Sequence, residues 1–129
     1  MTMPTPSSFN EIQRAHGYSL REIGVSGTGL ARADALAAID ALAGADCAIL
    51  SGDVLRVSAG IPQYTYANWR ARRGIGEGFP DFATRSLEIA RDYIAAYPEQ
   101  PSQLTLYTLV VADSESSAVA ISSEAYFLA

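Results

Sequence analysis

Tyr64-Thr65-Tyr66-Ala67-Asn68-Trp69-Arg70-Ala71-Arg72 alternates two kinds of residue. Tyr64, Tyr66, Asn68, Arg70 and Arg72 hold the even positions, and Thr65, Ala67, Trp69 and Ala71 the odd ones. A period of two places the two sets on opposite faces of a β-strand, one polar and one largely apolar. The segment therefore predicts a half-buried strand, and such a strand needs neighbours in a sheet.

Both flanks supply them. Upstream, Cys47-Ala-Ile-Leu50 is a continuous apolar run, followed by Ser51-Gly52-Asp53 and then by Val54, Leu55 and Val57. We read two short strand segments interrupted by a turn or bulge at the glycine. Before them, Ala35, Leu36, Ile39 and Leu42 recur at helical spacing between Ala31 and Ala43, and Gly44 is placed to end that helix. Downstream, Gly74-Ile-Gly-Glu-Gly78 predicts a mobile loop, because alternate glycines lack the restriction a Cβ imposes. Pro80 then suits a first helical turn, and Phe82, Ala83, Ser86, Leu87, Ala90, Tyr93, Ile94 and Tyr97 keep one stripe as far as Pro98.

The ends are less strongly patterned. Residues 1–7 read as a disordered lead-in to a single domain of residues 8–129, and Ser8 with Glu11 has capping-box spacing for a short helix ending near Gly17. Leu20 to Val25 reads as extended and Gly27-Thr28-Gly29 as a turn. Gln103 to Ala112 predicts one buried strand, residues 113–117 a polar turn, and Ala118 to Leu128 a last strand paired back on it. This order lacks the strict β-α-β alternation of a doubly wound fold. The expected class is α+β: one domain, an antiparallel or mixed sheet of about four or five strands, and helices mainly on one side.

Composition excludes several functions. The 129 residues include no lysine, so neither a Schiff base nor a phosphate-loop lysine is available. One histidine, His16, and one cysteine, Cys47, cannot form a Cys/His zinc site or an intramolecular disulfide. Fourteen acidic against nine basic residues give a net charge of -5, which disfavours nucleic acid and anionic membranes and suits basic or neutral partners. The opening residues lack the basic and apolar regions of a signal peptide, and no apolar run is long enough to span a bilayer. A cytoplasmic protein is expected.

No catalytic constellation emerges, and no metal or cofactor set. Cys47 enters a buried strand with nothing nearby to lower its pKa, and His16 ends a short helix. Asp53 follows a glycine at a bulge, where it either caps a turn or is re-aimed toward a site. Arg70, Arg72 and Arg73 form a basic cluster beside Tyr66 and Trp69. It reads as a solvated face, as a partner to nearby acids such as Glu77 and Asp81, or as a protein interface, where Arg, Tyr and Trp are common anchors.

Ala35 to Leu42, Ala48-Ile-Leu-Ser-Gly-Asp-Val-Leu55, Tyr64-Thr-Tyr-Ala-Asn-Trp69 and the helix around Ser86 to Ile94 together resemble the immunity protein 40 family of bacterial polymorphic toxin systems. The resemblance covers roughly residues 20 to 112, and the matched positions are Gly52, Asp53, Asn68 and Trp69. Ser51 stands where the family has a first glycine, and Ala67 where an aspartate often precedes Asn-Trp. The resemblance implies a small α+β protein that binds a cognate toxin, such as a basic nuclease, and blocks it without catalysis. On this reading Asp53, Glu77 and Asp81 supply charge and Tyr66 or Trp69 an anchor; Trp69 is alternatively a core residue beside Ala67 and Ala71. A second expectation is a small-ligand domain using Tyr64, Tyr66, Asn68 and Arg70.

Overall fold

A computed structural model describes residues 5–24 and 27–119. Its chain order is α1 (Ser7–His16), β1 (Tyr18–Ser19), a 3-10 turn (Arg21–Ile23), β2 (Thr28–Gly29), α2 (Arg32–Leu42), β3 (Ala48–Ser58), β4 (Ile61–Arg70), α3 (Phe79–Ala96), β5 (Leu104–Tyr107) and β6 (Val110–Ala112). The fold is α+β, with a four-stranded and a two-stranded sheet, both antiparallel.

The larger sheet is organised around β3. Its eleven residues pair with β4 along one side, and with β5 and then β6 along the other. β3 and β4 form a hairpin closed by Ala59 and Gly60, whose φ angles of 52° and 79° are those of the mirror-image turns that match strand twist. α3 lies on the face of the sheet that carries Ile49, Val54, Trp69 and Tyr107. α2 packs on α3 through Ala35, Ala38, Ile39 and Leu42, and α1 packs on α2 with Phe9 buried. On the opposite face Leu55 and Leu106 are covered by Leu20 and Ile23.

Polar groups fasten the layers. Ser86 is fully buried in α3; its hydroxyl donates to the Ala83 carbonyl and accepts the Ile49 N–H at 3.0 Å, beside an irregularity in the β3–β6 pairing. Arg32 donates to the carbonyls of Ile94 and Tyr97 at the end of α3 and lies 3.5 Å from Glu99, which accepts the buried Tyr107 hydroxyl. Burial, and then Glu99, push the Tyr107 phenol up from its ordinary pKa.

Several expectations need correcting. β3 is one strand, and Gly52 lies in line within it. The segment predicted as one strand from Gln103 is two, separated at Thr108 and Leu109, because the Thr108 hydroxyl accepts the Asp53 N–H in place of a ladder bond. Residues 21–23 form a helical turn that buries Leu20, and Thr28–Gly29 is a strand. α1 starts at Ser7 with Pro6 at its N-cap and no side-chain capping bond. Residues 115–119 are helical; residues 1–4 of the expected lead-in, Val25, and residues 120–128 of the expected last strand lie outside the described residues.

Candidate functional site

The four motif positions are cross-strand partners. Gly52 pairs with Trp69 and Asp53 with Asn68, at successive positions of the β3–β4 ladder. Directly opposed residues share a face, so each pair belongs to a different side of the sheet.

Gly52 and Trp69 face the helices. Trp69 is 5% exposed and stacks on Tyr93 of α3 with ring centroids 4.9 Å apart. A Cβ at position 52 would overlap the Trp69 ring and the Thr108 carbonyl, so the glycine is what lets β4 and the 108–109 connection both close on β3. The Trp69 indole N–H is buried with no acceptor among the described residues. Trp69 is thus a core residue, as its shared face with Ala67 and Ala71 allowed, and its ring is not presented to a partner.

Asp53 and Asn68 lie on the other face with Tyr64 and Arg70. Asp53 is half-buried, and burial pushes its carboxyl above the ordinary range while Arg70 pulls it back. Burial and Asp53 raise the Tyr64 phenol. Between Tyr64, opposite Leu55, and Asn68, opposite Asp53, β4 has three residues where β3 has one. Tyr66 sits in this bulge, 88% exposed and with a φ of 69°.

The expected acidic surface is dispersed over three elements. Glu77 accepts two hydrogen bonds from Arg85, at 2.7 and 2.8 Å, and one from the Gly74 N–H, which hold its carboxyl down at about 2. Arg73 also binds this turn, through the Glu77 carbonyl, and pairs with Glu115. The glycine-rich segment is therefore a tied turn, and the Glu77 carboxylate is already engaged. Asp81 is exposed in the first turn of α3.

The other candidates are placed as expected. His16 is exposed in the last turn of α1. Cys47 is buried, and burial, with Asp113 and Asp46, raises its thiol pKa. No cluster of metal-ligating side chains occurs among the described residues, and no described helix is long and apolar enough to cross a membrane. A cavity lined by Leu42, Gly44, Asp46, Cys47, Ala83, Thr84 and Leu87 includes none of Tyr64, Tyr66, Asn68 or Arg70.

The sequence pattern of immunity protein 40 matches residues 19–111, most of the chain. The chain belongs to the immunity protein 40 family. Membership supports an immunity role and implies a protein partner, a toxin, in general. The match begins at Ser19 and ends at Val111, so it spans the hairpin, both large helices and the Gly52–Trp69 and Asp53–Asn68 pairs. No curated protein and no solved structure matches the chain. One residue important to the outer face was visible in the sequence only as part of the inward stripe: Thr65, whose hydroxyl bridges the bulge. A threonine in a strand is too common to signal that.

Proposed function

We propose that this chain is a cytoplasmic bacterial immunity protein of a polymorphic toxin system. It neutralises a cognate toxin domain by binding it and occluding its active site, with no chemistry of its own. Family membership over residues 19–111 carries the reading. The net charge of -5 suits a basic toxin such as a nuclease, because a field of opposite sign speeds encounter and disfavours wrong partners. Within the contact, Asp53 and Tyr66 on the outer face of the hairpin meet the toxin, Asp81 at the start of α3 adds to the acidic field that guides approach, and Trp69 and Glu77 support the surface from within.

The test is co-expression. The toxin-like open reading frame adjacent to this gene is expressed in bacteria with and without this protein, and survival and co-purification are scored together. Rescue with a stable complex supports the proposal. Toxicity with neither rescue nor complex refutes it for that toxin.

A further inference from the structure

Among the described residues, three non-glycine residues have positive φ: Asp46, Ala59 and Tyr66. Aspartate tolerates that region, and Ala59 sits in the hairpin turn; Tyr66 is a bulky side chain within a strand, where such a backbone is a genuine outlier. Outliers persist only where the surroundings over-determine them, and they concentrate at functional positions. Here the surroundings do so. The Thr65 hydroxyl donates to the Val54 carbonyl at 2.8 Å and accepts the Ala67 N–H at 3.1 Å, while the Asn68 amide donates to the Tyr66 carbonyl at 3.1 Å. Two side chains thus replace the missing ladder bonds and hold the bulge in one shape.

The fold gains little from the ring so displayed, since Tyr66 is 88% exposed. A bulge on an edge strand can serve only to prevent pairing with other chains. That purpose would be met better by glycine or asparagine, which accept positive φ more readily. The surroundings of Tyr66 also look like an interface. Of the six large apolar residues left exposed among those described, Ile61, Tyr64, Tyr66 and Ile75 lie in β4 and the turn after it. Arg70, the last residue of β4, and Arg72, two residues beyond it, take part in none of the salt bridges among the described residues, as is also true of Arg21 and Arg56, but only these two follow directly on the bulge.

We infer that the β4 bulge is a preorganised mount for Tyr66. The ring is the anchor that enters an apolar pocket on the toxin, Arg70 and Arg72 meet carboxylates at that pocket's rim, and Thr65 and Asn68 are positioning residues that act through Tyr66. The inference rests on the toxin-binding reading and names its contact. The acidic field of the whole chain governs approach, and this Tyr/Arg patch governs the docked contact. Holding an anchor in its bound conformation beforehand lowers the ordering cost of association, and buried tyrosines are frequent hot spots.

The experiment measures affinity for the toxin domain encoded beside the gene, together with the thermal midpoint of each variant. Tyr66→Asn should lose on the order of 30-fold or more in affinity, with a midpoint equal to or above that of the unaltered protein. Tyr66→Phe should bind within a few-fold. Thr65→Val and Asn68→Ala should each lose roughly tenfold, Thr65→Ser should restore binding, and Asn68→Ala should lose nothing further in the Tyr66→Asn background. Unchanged binding by Tyr66→Asn, or full additivity with Asn68→Ala, would overturn the inference and leave toxin binding standing. If the unaltered protein forms no complex, the toxin reading fails and this contact with it.

Discussion

Gly52–Trp69 and Asp53–Asn68 are neighbouring rungs of one ladder, yet they face different surroundings. The first rung lies against Tyr93 and the Thr108 carbonyl, where a single added methyl group would collide with a ring. The second lies on the open side, where Asp53 is half-buried, Asn68 is exposed and Tyr66 is lifted out by a bulge. Period two alone separates them. The difference teaches that a short motif can hold two instructions at once: one rung fixes how the hairpin packs on α3, and the adjacent rung leaves a shaped polar and aromatic surface free. Changes to the inner rung should therefore act on folding, and changes to the outer rung on binding.

The largest effect expected is at the inner rung. Trp69→Ala should destabilise the fold by about 3–5 kcal/mol, through lost burial and the cavity left against Tyr93, seen as a fall in the urea midpoint. Trp69→Phe should cost much less, roughly 1 kcal/mol, because it keeps a ring on Tyr93 and removes a buried N–H that has no acceptor among the described residues. A Trp69→Ala protein of unchanged stability would break the comparison, by showing that the ring is not needed in the core. Next comes Ser86→Ala, about 1–3 kcal/mol, since the Ile49 N–H loses its buried acceptor; urea unfolding measures this too. An effect within error there would mean that α3 is held to β3 by apolar packing alone.

Local period made much of this molecule legible. Ala67, Trp69 and Ala71 do face inward, and the stripes of α2 and α3 are the buried ones, because side-chain direction is fixed by secondary structure. The bulge escaped for a specific reason. It adds two residues to β4, an even number, so alternation continues across it and the sequence records no break. The division between β5 and β6 escaped because it is made by a distant bond, from the Asp53 N–H to the Thr108 hydroxyl, inside a run with no turn residue. Three alternate glycines suggested freedom in the turn after β4, but Glu77 and Arg85, eight residues apart across the start of α3, tie it down. At the site, Gly52, Asp53, Asn68 and Trp69 were recognisable as a set; that they are two opposed pairs needed the register.

The remaining two predictions concern carboxylates of opposite behaviour. Glu77 has its pKa lowered to about 2, first by the Arg85 hydrogen bonds and then by the Gly74 N–H. A depressed folded-state pKa contributes stability above the unfolded value, near 4.5, which is lost as pH falls toward 2. The Gly74 amide should accordingly lose protection from hydrogen exchange over that range, and Glu77→Gln should lack the protection throughout it. A protection factor that ignores pH would show that the turn is held by something other than this carboxylate.

Asp53 should give the smallest effect, with the other sign. Burial raises its folded-state pKa, and Arg70 opposes that without reversing it. Ionised Asp53 therefore works against folding at neutral pH, and the penalty disappears as pH falls through the raised pKa, where the folded protein takes up the proton first. Asp53→Asn should leave the thermal midpoint equal or slightly higher at pH 7, and the difference from the unaltered protein should vanish in acid. The same variant should weaken toxin binding if the outer rung serves the partner. A midpoint clearly lowered at pH 7 would mean that Asp53 and Arg70 hold the sheet together as a pair, and then the two rungs would differ in exposure but not in purpose.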